Sequence, residues 1–152
     1  MLGTLTDKEV EDLLSREHLA RIGCHAEGRI YVVPTAYVYD GEFVYAHSGD
    51  GLKIRTMRAN PVVCFEVEDI ANLGHWSSVI AWGSYEELGG ANEARAAALL
   101  ESRLSPLHPG GAANLLRPRI HGIAQESART TLFRIRLTEK TGRFERHQVG
   151  AR

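Results

Sequence analysis

Two β-branched and aromatic runs, Ile30 to Tyr39 and Phe43 to His47, flank an Asp40-Gly41 pair, and this arrangement constrains the fold more than any other stretch of the chain. Apolar runs on both sides of Asp-Gly read as a β-hairpin, because such a tight turn needs residues that tolerate positive φ. Pro34 interrupts the first run. It has no N–H to give to a ladder, so its strand is expected to carry an edge or a bulge there, with backbone groups left free. Further strand-like runs surround the hairpin: Leu19 to Cys24 before it, then Pro61 to Val67, Ser77 to Leu88 and Thr131 to Leu137 after it. Gly83 inside one of them predicts a bulge or bend. Thr141 to Glu145 reads as an extension of the last strand past a turn.

Helical signals are fewer. Thr6 and Glu9 form a capping box ahead of the apolar stripe Val10, Leu13 and Leu14. A second short helix follows the hairpin. Asn92 is expected to cap a third, rich in Ala, Leu and Glu, that runs to about Arg103. Residues 104–128 hold three prolines and several glycines. They read as a long loop over a pocket, with a helical turn near Ala112 to Leu116. About six strands, mostly hairpin-connected, with peripheral helices predict one mainly β domain over residues 1–152, built on a six-stranded antiparallel barrel that is closed or partly open. A small barrel fills its interior with side chains, so a ligand belongs outside it or at a subunit seam.

Composition narrows the function. The net charge of −1 supplies no global field toward nucleic acid or an anionic membrane. No apolar run is long enough to span a bilayer and the first residues carry no signal-peptide core, so a cytoplasmic location is expected. Cys24 and Cys64 lie in apolar strand runs without a CxxC and are expected reduced and buried. The seven histidines show no ligand spacing, so no metal is expected. No nucleophile–base set or carboxylate pair is recognisable, and no catalytic residue is assigned.

The chemistry-bearing stretch runs from Phe43 to Arg58. A strand enters the Gly49-Asp50-Gly51 turn, and the turn opens a short helix with Lys53, Arg55 and Arg58. Free N–H groups and a positive dipole end at a helix start suit a phosphate, and the basic side chains add to it. The Walker spacing is absent. Taken alone, the basic residues read equally well as a solvated face.

The ordered series G-R-x-Y-V-V-P-x-x-Y-V-Y-D-G-x-F-V-Y-x-H-S-x-x-G-x-K, N-P-x-V-C-F-E-V, W-S-S-V-x-x-x-G and T-x-L-F-R-I-R-L resembles the pyridoxamine 5′-phosphate oxidase-like FMN-binding split-barrel family, over roughly residues 5 to 145. It is nearest to the short bacterial members, which include nitroimidazole-resistance proteins. The resemblance implies a six-stranded split barrel that forms a homodimer, with FMN in two grooves at the seam and a small-molecule substrate. It implies isoalloxazine contacts from Val33, Pro34, Thr35 and Ala36, and a ribityl phosphate held by His47, Ser48 and Lys53. It also implies a flavin contact from Ser78, with Ser77 beside it. The full-length oxidases carry Arg-Lys where this chain has Leu52-Lys53, so the missing cation is expected from Arg58, Arg55 or the partner subunit. They also use a C-terminal basic segment that the stretch from Glu145 to Arg152 does not match. Only Arg146 and His147 keep vitamin B6 oxidation open.

Three functions follow from the resemblance. One is an FMN-dependent oxidoreductase, a reductase of a small electron-poor substrate such as a nitro compound or quinone. Another is a flavin- or haem-binding protein without turnover. The third is a deazaflavin-dependent reductase. His47 is expected at the flavin edge, as a cofactor contact, as a proton or hydrogen-bond donor to a substrate, or as a packed strand-end residue. Trp82 is expected in the core. Trp76 is expected to wall the pocket or pack at the seam.

Overall fold

A computed structural model describes residues 1–107 and 130–147. Among these described residues, eight strands and three α-helices follow in the order β1 (Leu2–Thr4), α1 (Asp7–Arg16), β2 (Leu19–Ala26), β3 (Arg29–Ala36), β4 (Val38–Tyr39), β5 (Phe43–Gly49), α2 (Leu52–Ala59), β6 (Val62–Asn72), β7 (His75–Glu87), α3 (Gly90–Leu104) and β8 (Thr130–Arg146). A short 3-10 turn, Ser105–Leu107, follows α3. The loop expected at 104–128 and the helical turn expected near Ala112 lie almost wholly outside the described residues.

All strand pairs are antiparallel, in the order β3-β2-β6-β7-β8-β5-β4, with β1 added to β8. The count is eight rather than the six expected, for two reasons. The long run from Ile30 to Tyr39 changes partner at Tyr37: β3 pairs with β2, and β4 pairs with β5. The three residues of β1 add a short strand beside Arg143, Phe144 and Glu145. The sheet thus comes round toward itself through the chain that links β3 to β4, while the far edge of β3 pairs with no other strand among the described residues. Pro34 sits on that edge strand, opposite Arg21, where its missing N–H costs no central ladder bond.

The turn chemistry follows the residues. Glu27 and Gly28 both have positive φ, 53° and 75°, in the β2–β3 hairpin. Asp40 accepts from the amides of Glu42 (2.9 Å) and Phe43 (2.7 Å), so the β4–β5 connection is an Asx-stabilised loop of three residues rather than a two-residue turn. Gly83 marks a register shift between β7 and β8. A Cβ there would lie 2.2 Å from the Arg136 carbonyl oxygen. The last strand is one 17-residue element instead of two segments broken by a turn.

Alternation fills the interior. Ile22, Cys24, Val44, Ala46, Val63, Phe65, Val67, Val79, Ala81, Phe133 and Ile135 point inward and are buried. Val10, Leu13 and Leu14 of α1 join the same core, as do Ile54 and Met57 of α2. The capping box holds as read: Glu9 N donates to Thr6 Oγ1 (3.2 Å), and Thr6 N donates to the Glu9 carboxylate (2.8 Å). Helix α3 begins at Gly90 with Gly89 as its cap, three residues before the expected cap Asn92. Its Ala97, Leu100 and Leu104 form a second cluster with Val38 and Leu132.

Candidate functional site

The strand-to-helix turn after β5 forms as the sequence implies. Gly51 caps α2 without any side-chain hydrogen bond. The first helical ladder bond runs from Arg55 N to Gly51 O (3.1 Å), so the amides ahead of it have no helical acceptor. Lys53 stands in this first turn, half-buried, with no hydrogen bond or ion pair to another described residue. Burial pushes its ammonium pKa down, and the buried Cys24 thiol of β2 is its electrostatic neighbour. A desolvated cation beside uncapped amides is a place an anion fits. On this observation the chain suits the phosphate of a nucleotide-type cofactor. Lys53, the turn amides and the open edge of β3 are the groups that would hold it.

The other expected contacts divide. His47 is half-buried opposite Leu132, on the same side of β5 as Tyr45, which packs into the α3 cluster. Ser48 points to the other side and donates to Gly49 O (3.0 Å). On β3, Thr35 is buried and Val33 half-buried toward the interior, whereas Pro34 is exposed on the outer face. Ala36 is partly buried against the α3 cluster. Ser78 faces outward and donates to Glu66 Oε1 (2.8 Å). Ser77 turns to the opposite face, in register with Phe144. Arg58 is engaged by carboxylates, donating from Nε to Glu87 and lying 3.3 Å from Asp50. Arg55 is exposed. Trp76 is part-buried and donates to Glu145 (3.2 Å).

Sequence reasoning missed an apolar groove of about 670 Å³ on the outer face of β2, β3, β6 and β7. Gly23, Ile30, Val32, Val62, Cys64 and Trp82 line it, with Arg21, His25 and Glu66 at its polar margin. Ile30, Val32 and Val62 are 77%, 62% and 65% exposed. Trp82, expected in the core, is 37% exposed here, because inward and outward positions alternate along β7 and Ala81 takes the inward place. Cys64, expected buried, is partly exposed for the same reason, and both cysteines are free. The signal was present in β3: apolar residues on both faces of an edge strand imply that both faces are covered. None of the ten expected contacts lines the groove. Ser78 bonds to one of its liners, Glu66, and Pro34 stands opposite another, Arg21.

A sequence profile described as pyridoxamine 5′-phosphate oxidase matches residues 6–144, nearly the whole chain. The chain belongs to the pyridoxamine 5′-phosphate oxidase family. Another sequence similar to this family member is an uncharacterised protein of Rhizobium meliloti (strain 1021), 33% identical over 144 residues and covering 91% of this chain and 92% of its own. Among solved structures, a FAD-binding protein of Mesorhizobium loti superposes with TM-score 0.73 at 29% identity, over 95% of this chain and 98% of its own. The FAD-binding protein of Mycobacterium smegmatis gives 0.65 at 25% identity, over 96% and 100%. A proposed 5-nitroimidazole antibiotic resistance protein of Bacteroides thetaiotaomicron shares the fold, with TM-score 0.67 at 18% identity over 95% and 87%. Among the described residues no helix is long and apolar enough to cross a membrane, and no group of three or more His, Cys, Asp or Glu is arranged to hold a metal ion.

Proposed function

We propose that this protein binds a flavin nucleotide, FMN in the first instance, at a seam between two copies of the chain. We further propose that it acts as a reductase of a small electron-poor substrate such as a nitro compound or quinone. The observation that carries the reading is Lys53: half-buried, without a described anionic partner, in the uncapped first turn of α2. The family supports it, and so do the names of two solved relatives, which are FAD-binding proteins.

The chain's own residues have defined work in this reading. Lys53 offsets charge on the phosphate and the free amides of the first turn of α2 donate to it, while Val33 to Ala36 on the edge strand and Ser78 on β7 offer backbone and hydroxyl groups to a planar ring. The apolar face of Ile30, Val32, Val62 and Trp82 excludes water and joins the second copy. Arg21, with Glu66 and Glu68 beside it, gives that face both signs of charge, which suits a self-complementary two-fold contact. A bound flavin supplies the redox chemistry itself. Those FAD-binding relatives favour one second reading, in which FAD takes the same cradle.

The test is to purify the protein, record its visible spectrum and identify the released cofactor by mass. The dithionite-reduced holoprotein is then mixed with a nitroaromatic or a quinone. Yellow protein releasing FMN, reoxidised by substrate under anaerobic conditions, is the expected result. Released FAD selects the second reading. Colourless protein that takes up neither flavin contradicts both.

A further inference from the structure

We propose that Arg58 is a positioning residue: it ties the turn before α2 to the end of β7 through Asp50 and Glu87, and so shapes the anion cradle without touching the anion. This rests on the flavin-phosphate reading of that cradle. The guanidinium lies in the last turn of α2. Its Nη1 is 3.3 Å from Asp50 Oδ1, and its Nε donates to Glu87 Oε1. The same Glu87 oxygen accepts the Tyr85 hydroxyl at 2.8 Å. Tyr85 is itself fixed: its ring packs 5.3 Å from that of Phe133 in the core, and its amide donates to Pro61 O (2.8 Å). A chain of contacts therefore runs from the buried core through Glu87 and Arg58 to Asp50.

Asp50 is where such a tether is needed. It lies between Gly49 and Gly51, the two residues least able to hold a turn by their own backbone preference. The cap of α2 has no side-chain hydrogen bond, so the helix start lacks its usual local lock. Direct phosphate binding by Arg58 fits poorly. Five residues from Lys53, it projects about 140° away around the helix. Its one positive charge faces two carboxylates, so the trio carries no surplus cation for a phosphate.

The experiment compares the wild type with Glu87→Gln, Arg58→Ala and Tyr85→Phe. It reads amide hydrogen exchange at Gly49 to Leu52 in the cofactor-free protein, and titrates each form with FMN and with riboflavin. Removing a carboxylate near an anion raises affinity by charge alone. The tether predicts the opposite for Glu87→Gln: faster exchange in the turn and weaker FMN binding by about two- to fivefold, the fold-change an exposed ion pair is worth. Riboflavin binding stays unchanged. Arg58→Ala behaves alike, and Tyr85→Phe does so more weakly with no change of charge. FMN affinity that rises or holds in Glu87→Gln overturns the proposal, as does unchanged exchange. A wild type that binds riboflavin as tightly as FMN instead contradicts the flavin-phosphate reading, and turn exchange alone then decides the tether.

Discussion

Lys53 shows how much one residue can carry. Its ammonium is half-buried and its pKa is lowered by lost solvation. A cation in that position costs folding free energy until an anion joins it. Lys53→Met keeps the stem and removes the charge. It is expected to raise the thermal midpoint of the cofactor-free protein by about 1–3 °C, the shift that a fraction of a kcal/mol gives in a chain of this size. A lowered midpoint would mean that the ammonium is already compensated. The lysine and its glycine turn were legible in the sequence because helix-start chemistry is local. Its electrostatic neighbour Cys24 was not, because Cys24 lies 29 residues upstream and only the fold brings β2 to α2. Arg58 shows the same limit. Its position on a basic helix was readable, but its carboxylate partners on the turn and on β7 were not.

At the scale of elements, the strand pattern held where alternation was strict, and boundaries moved where partners changed. Gly83 reads as a bulge from sequence, and the structure gives the reason: the Arg136 carbonyl occupies the place of a side chain. Gly83→Ala is expected to destabilise by about 3 kcal/mol, the upper end of overpacking, because backbone cannot step aside as a side chain can. Thermal unfolding should show a fall of about 6–12 °C, and an unchanged midpoint would mean that the bulge relaxes freely. The split of β3 from β4 at Tyr37 was hidden, since the apolar run continues through Tyr37 to Tyr39 and does not reveal a change of partner. The join between α2 and β7 also sets a pH dependence. The Arg58 hydrogen bond holds the Glu87 carboxyl below its ordinary value of 4.5. A depressed carboxyl stabilises the fold above its unfolded value and loses that contribution as pH falls through the folded one. The difference in midpoint between wild type and Glu87→Gln should therefore be present at neutral pH and close as pH drops below 4.5. A difference that persists in acid would assign it to something other than the charge.

For the whole molecule, the governing feature is the exposed apolar outer face of β3, β2, β6 and β7. Composition gave no warning of it, because 43% hydrophobic residues is ordinary and the excess lies in the placement of a few side chains. A second copy on that face predicts a dimer at micromolar concentration by light scattering. Val62→Glu should shift it to monomer, since a carboxylate would be desolvated in an apolar seam. A wild type that is monomeric with flavin bound would contradict the seam. Narrower than assembly is the proposal that Lys53 at the start of α2 holds a flavin phosphate. Its most direct measurement is a pair of fluorescence titrations, FMN and riboflavin, against the cofactor-free wild type and Lys53→Ala. The account predicts that the wild type prefers FMN and that Lys53→Ala loses about ten- to a hundredfold of FMN affinity, the worth of one charge-assisted hydrogen bond, while riboflavin binding hardly changes. Equal FMN affinity in the two proteins would contradict it.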